Sequence, residues 1–190
     1  MSDINLTENF KKKMVSRPRV PGRYSASELY FILYGGKYQV TPEKWLHPPE
    51  RTVEENMRMF DGIWTHNKIQ SLLDPASCEK KKEIVYRDIV LVGKADYLPQ
   101  GNPDQVWEFK TSAKKMAVMK DYHGHQTRLY TSMFEKQLGI VYQPVSDKNG
   151  IYLKHLGSVE RNDAWFEGEL RKLYIFHEKV ETLRALEPTT

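Results

Sequence analysis

Hydrophobic positions along the chain change period several times, and each change marks an element. Leu29, Ile32 and Leu33 recur at helical spacing behind Ser25-Ala26-Ser27-Glu28, a capping-box pattern, and Gly35-Gly36 halts the run. Thr41 to Glu50 carries prolines and reads as a connection. From Thr52 to Leu73 the residues Met57, Phe60, Ile63, Trp64, Ile69, Leu72 and Leu73 keep a helical period until Asp74-Pro75 ends it. His66 and Gln70 lie on this helix at a spacing of four. Glu83 to Val92 is β-branched and increasingly apolar, a strand. Val90 to Thr111 holds two apolar stretches joined by Pro99, Gly101, Asn102, Pro103 and Asp104, the composition of a hairpin connection. Ala113 to Leu138 predicts a long helix with Met116, Met119, Tyr122, Gln126, Leu129, Met133 and Phe134 near one face; Gly124 weakens its middle and Gly139 takes the C′ position. Two strands follow, Ile140 to Val145 and Gly150 to Leu156, around the turn at Ser146 to Asn149, and then an amphipathic helix from Asp163 to Leu186. The order helix, three strands, helix, two strands, helix predicts an α/β domain with a central mixed β-sheet flanked by helices.

Three charges interrupt the hairpin: Asp96 on its first strand, Glu108 and Lys110 on its second. Strand side chains repeat every two residues, so Glu108 and Lys110 share a face while Phe109 takes the other. Folding the hairpin symmetrically about Asn102 sets Asp96 opposite Glu108, with the lysine beside them. Facing carboxylates destabilise a sheet unless something neutralises them, and hard carboxylate oxygens are the ligands that Mg²⁺ and Mn²⁺ prefer. A solvated hairpin face with scattered charge is the competing reading of these three residues taken alone.

Composition narrows the choice. The 190 residues suit one domain, with residues 1–23 forming a basic arm (Lys11-Lys12-Lys13, Arg17-Pro18-Arg19) and residues 24–190 the folded unit. A net charge of +4 permits nucleic-acid binding without demanding it. The single cysteine, Cys78, excludes an internal disulfide and a thiolate-ligated metal or iron–sulfur centre within one chain. No apolar run approaches the roughly 20 residues of a bilayer span, and Met1 to Met14 lacks the apolar core of a secretion signal, so no membrane contact and a cytoplasmic location are expected.

Further features line up with the hairpin in order: His66 on the preceding helix, Gly93-Lys94-Ala95-Asp96, Glu108-Phe109-Lys110, and Gln126 with Tyr130 as QxxxY on the next helix. This set, H…GxxD…ExK…QxxxY, resembles the RecB-like branch of the PD-(D/E)XK nuclease superfamily, which includes RecB-type exonuclease domains and nucleases of CRISPR adaptation. The resemblance runs from about Tyr24 to Val145. It implies a restriction-endonuclease-like core and a metal-dependent DNA nuclease, acting as an exonuclease on single-stranded or linear DNA in recombination, repair or DNA processing. It also implies that Asp96, Glu108 and Lys110 are catalytic, and that His66, Asp96, Glu108 and the carbonyl of Phe109 hold Mg²⁺ or Mn²⁺. By the same resemblance Gln126 and Tyr130 contact the nucleic acid, and the partners are DNA and other recombination or repair proteins. Many members of the branch follow an S-x-S-x-L helix with a cluster-ligating cysteine; here Tyr24-Ser-Ala-Ser-Glu-Leu-Tyr30 runs into Tyr34-Gly35-Gly36, so no iron–sulfur cluster is expected.

The chemistry explains the residue types. A phosphodiester resists hydrolysis because its anionic oxygens repel a nucleophile and its alkoxide leaves poorly. A metal between Asp96 and Glu108 would polarise the phosphate and acidify a water, while Lys110 orients that water and offsets developing charge. His123 and His125, at i and i+2, face apart on their helix and are read as surface or substrate-proximal groups rather than paired ligands. Lys114, Lys115 and Lys120 are read as a solvated helix face. Two other classes stay open at this point: a non-catalytic DNA-binding or assembly subunit that keeps the fold, and an RNA-directed nuclease.

Overall fold

The computed structural model describes residues 19–112, 115–148 and 150–187. Most of the expected N-terminal arm, with Lys114 and Asn149, lies outside the described residues. The chain builds β1 (Arg23–Ser25), α1 (Ala26–Tyr34), α2 (Pro42–Leu46), α3 (Val53–Gln70), β2 (Cys78–Tyr86), β3 (Ile89–Tyr97), β4 (Gln105–Phe109), α4 (Asp121–Met133), β5 (Leu138–Asp147), β6 (Gly150–Glu160) and α5 (Asp163–Leu186). No helix among the described residues is long and apolar enough to cross a membrane.

One mixed sheet organises the domain, as expected. β3 pairs antiparallel with β2 along its whole length and parallel with β1 over Val90–Val92, so these two flank it on opposite edges. At its C-terminal end β3 also meets β4, antiparallel, through Tyr97 and Trp107. That pair has the register expected from folding about Asn102. β4 then pairs parallel with β5, and β5 antiparallel with β6. Parallel neighbours need a crossover, and α4 supplies it, packing across β3 to β6. α1 lies against α4 and α5, and α2 against α5. Tyr24, Leu29, Ile32, Trp45, Leu91, Leu129, Met133 and Leu173 fill the core between helices and sheet.

Several expectations are corrected. The strand predicted over Glu83–Val92 is broken at Arg87-Asp88, where Arg87 adopts a left-handed φ of 55° and turns β2 into β3. Ser25 and Glu28 make no capping box: Glu28 is held by Arg19 through two 2.9 Å bonds, and Ser25 Oγ lies 2.8 Å from Ser27 Oγ. The capping box instead starts α3, where Glu55 N donates to Thr52 Oγ1 at 3.2 Å and Thr52 N donates to Glu55 Oε2 at 2.8 Å. β1 spans the end of the stretch read as the arm and the start of the expected capping box, and α2 arises within the stretch read as a connection. The long helix predicted over Ala113–Leu138 is confined to α4, because the backbone is extended at Lys120 before its start and Glu135 takes a φ of 57° after its end.

Gly139 is not a helix terminator but part of β5. A Cβ there would lie 2.5 Å from Thr127 Cγ2 and 2.9 Å from Thr131 Cγ2, so glycine is what lets α4 cross β5 this closely. The apolar positions of α3 mostly face outward, with Met57, Phe60, Ile63 and Trp64 exposed; Asn56 and Ile69 are its buried residues.

Candidate active site

The end of β3, the end of β4, one face of α3 and one face of α4 meet at a single point. The chain places the polar residues of the motif there for local reasons. Asp96 stands one residue before the Tyr97–Trp107 pair, so its side chain is free of the ladder and accepts from the Phe109 amide, N to Oδ2 2.7 Å. Glu108 reaches back, and its Oε1 lies 3.4 Å from the Asp96 amide nitrogen. The two carboxylates therefore share one side of the sheet, as expected. Lys110, just past β4, keeps its backbone tied to β5 (N to Tyr142 O, 2.8 Å) and sends its ammonium to Glu108 Oε2 at 2.9 Å.

α4 completes the arrangement. Gln126 Oε1 accepts from Lys110 Nζ at 2.8 Å, and Gln126 Nε2 donates to the Tyr130 hydroxyl at 2.9 Å. The QxxxY pair thus forms a chain of hydrogen bonds that ends on Lys110. Tyr130 differs from the nucleotide-contacting group expected of it: it is 3% exposed and its ring belongs to the core. Gly93, three residues before Asp96, explains its own place in the motif. A Cβ there would lie 2.8 Å from Met133 Sδ and 3.0 Å from the Tyr130 ring, so a side chain would force Met133 and the Tyr130 ring to shift.

On the other flank, α3 brings His66 Nε2 to 3.3 Å from Asp96 Oδ1 and Gln70 Nε2 to 3.3 Å from the Asp96 carbonyl oxygen. Burial lowers the His66 pKa, against the pull of Glu108, so the ring is neutral near pH 7 and its 3.3 Å approach to Asp96 is not an ion pair. A cavity of about 440 Å³ opens next to these residues, lined in part by Arg58, Thr65, Thr111 and Ser112.

Electrostatics at this point are strongly perturbed. Glu108 is 1% exposed, and burial, reinforced by the neighbouring Asp96 charge, pushes its carboxyl up to about 8. Burial likewise raises Asp96 to about 6, opposed by Lys110 and the Phe109 amide. For Lys110 burial works against the charge, but Glu108 and Asp96 outweigh it and its pKa is raised. Lys110 is thus an ammonium at any ordinary pH: it can donate hydrogen bonds and offset negative charge, but it cannot accept a proton from water. Two carboxylates against one ammonium leave a buried negative charge whenever both acids ionise.

The sequence missed Glu79, whose charge acts on both Asp96 and His66; it stands at the start of β2, upstream of the strand the sequence predicts. His123 and His125 are corrected from surface groups to a buried and a half-buried one. His125 Nε2 pairs with Glu169 Oε2 at 2.8 Å, and burial drives His123 down to about 4. Among the described residues no three His, Cys, Asp or Glu side chains have their donor atoms gathered as a metal cage. Oxygens of the acids are turned instead to Lys110 and to backbone amides.

Comparison with known proteins bears on the fold. No protein-family model matches the chain, and no curated protein matches its sequence significantly. Solved structures do match. The alkaline exonuclease LHK-Exo from Laribacter hongkongensis is 15% identical with a TM-score of 0.54, covering 94% of this chain and 96% of its own. Its complex with dAMP is 14% identical with a TM-score of 0.55, covering 87% and 93%. SSO0001 is 18% identical with a TM-score of 0.53, covering 94% and 84%. The mixed sheet and its flanking helices thus share the fold of an alkaline exonuclease along nearly the whole length of both chains.

Proposed function

We propose that the protein is a divalent-cation-dependent deoxyribonuclease of the RecB-like PD-(D/E)XK kind, an exonuclease that hydrolyses phosphodiester bonds in single-stranded or linear DNA during recombination, repair or DNA processing. One observation carries this: the buried carboxylate of Glu108 and the half-buried one of Asp96 converge beside a lysine that stays protonated. A structural sheet has no use for such a pair, since it leaves uncompensated charge in a dry place. Resemblance in fold to an exonuclease, one structure of which holds dAMP, supports the same reading.

The donor set fits a hard cation. Carboxylate oxygens of Asp96 and Glu108 and the Phe109 carbonyl are ligands suited to Mg²⁺ or Mn²⁺, with the neutral His66 imidazole a further donor better matched to Mn²⁺ than to Mg²⁺, and a bound cation would supply the charge that the pair lacks. Such an ion, when bound, polarises the phosphate and lowers the pKa of an attacking water. The chain's own residues do the rest. Lys110, held by Glu108 and Gln126, offers N–H donors to the water or to the phosphoryl oxygens and offsets charge as it develops. Gln126 and Tyr130 hold Lys110 in that position, and Gln126, half-buried rather than buried, is also open to the substrate. Gln70 fixes the β3 backbone at Asp96.

End-labelled linear and circular DNA, single- and double-stranded, incubated with Mg²⁺ or Mn²⁺ tests the proposal. Wild type is expected to release nucleotides from linear DNA, while Asp96→Ala and Lys110→Ala do not. Equal cleavage by wild type and these variants refutes it; metal-independent binding unchanged by Asp96→Ala identifies a non-catalytic DNA-binding subunit, and cleavage of RNA alone an RNA-directed nuclease.

A further inference from the structure

Twelve per cent of the residues are aromatic, and the structure separates those that fill the core from a group that does not. Tyr24 and Tyr130 are buried. Tyr122, Phe31 and Tyr30 are only half-buried, and Tyr34 is 41% exposed. These four touch in sequence across α1 and the first turn of α4: Phe31 to Tyr122 at 5.6 Å between ring centroids, Tyr122 to Tyr30 at 6.2 Å, and Tyr30 to Tyr34 at 6.0 Å. Tyr122 precedes Gln126 by four residues, as Gln126 precedes Tyr130. The three share one helix face and climb from the buried network to its rim. Tyr122 also lies within electrostatic reach of the Lys110 ammonium, and Lys120 stands 5.7 Å from its ring centroid.

We propose that Tyr122, with Phe31 and Tyr30 behind it, is a stacking platform that holds an unpaired base of the DNA strand being cut. The inference rests on the nuclease reading of the Asp96–Glu108 site and adds a substrate class: strands that present unstacked bases. Aromatic rings take bases without regard to sequence, and a nearby lysine tracks the phosphates, the combination that binds single strands. A base in a paired duplex has both faces covered by its neighbours. Linear duplex would therefore reach this site through frayed or resected ends.

Single-stranded oligonucleotides with 2-aminopurine at either terminal position, mixed with the full chain in EDTA, test this without any cleavage. Wild type and Tyr122→Phe are expected to quench the fluorophore at one of the two ends. Tyr122→Leu, with an unchanged melting temperature, is expected to lose that quenching and roughly tenfold in affinity. Tyr30→Leu provides a second variant on the same track, expected to show a smaller loss. Wild-type binding without quenching at either end, or full quenching and affinity in folded Tyr122→Leu, overturns the platform. Quenching retained by a protein that cuts no DNA in Mg²⁺ or Mn²⁺ supports the platform and refutes the nuclease reading, so the two fail separately.

Discussion

Replacing Asp96 by Asn is expected to stabilise the metal-free protein at alkaline pH. Asparagine keeps the shape, its Oδ1 can still accept from the Phe109 amide, and its N–H can face the neutral His66 ring, so the packing is preserved. What disappears is a buried negative charge beside Glu108. Burial raises the Asp96 carboxyl from the ordinary 3.8 to about 6. Each unit between folded and unfolded values corresponds to about 1.4 kcal/mol, so ionising Asp96 in the folded state costs on the order of 3 kcal/mol. The sign follows from linkage: the folded value lies above the unfolded one, so stability is lost as pH rises from about 4 through about 6 and stays lost above. Asp96→Asn escapes that loss.

Urea and thermal unfolding in EDTA at pH 8 are expected to show the variant more stable by about 3 kcal/mol, roughly 6–12 °C for a chain of this size. At pH 4.5 the advantage shrinks to about a third of that. Mg²⁺ at 100 times its dissociation constant then raises wild type by about 2.7 kcal/mol and leaves the variant nearly unmoved. A variant less stable than wild type at pH 8, or equally stabilised at both pH values, refutes the account of the pair.

Further outcomes follow from the same geometry. Lys110→Ala is expected to lower the rate of DNA cleavage by about 10²- to 10³-fold while still binding Mn²⁺, checked by single-turnover kinetics and calorimetry. Tyr130→Phe removes one hydrogen bond from the chain that holds Lys110, so kcat falls between about two- and tenfold with KM unchanged. Metal affinity, followed by calorimetry, rises with pH between about 6 and about 8 as Asp96 and then Glu108 ionise. Gly139→Ala costs about 1–3 kcal/mol in urea melts, because stiff Thr127 and Thr131 leave no room for a methyl group.

The hairpin register was readable from sequence because turn residues and alternating charges both fix it: Tyr97 meets Trp107, and Asp96 with Glu108 share one side. For α3 the helical period told only that a helix forms. Its apolar residues Met57, Phe60, Ile63 and Trp64 are exposed, while His66, Ile69 and Gln70 are the ones turned to the sheet. Period cannot say which face meets the core when polar residues do the docking. β1 is three residues long, below what alternation can signal. The end of α4 and the start of β5 were misjudged because Gly139 fits a helix stop and a close crossing equally well. His123 and His125 do diverge, as their spacing requires, but both directions are covered: His125 meets Glu169 of α5, and His123 lies toward Lys110.

The central claim is that Asp96 and Glu108 hold a divalent ion with the Lys110 ammonium alongside. Anomalous diffraction from crystals soaked in Mn²⁺ measures this directly. The account predicts one or two peaks within about 2.0–2.4 Å of both carboxylates, with His66 and the Phe109 carbonyl as neighbours. Mn²⁺ bound elsewhere, with Asp96 and Glu108 still turned to Lys110 and the backbone amides, would contradict it.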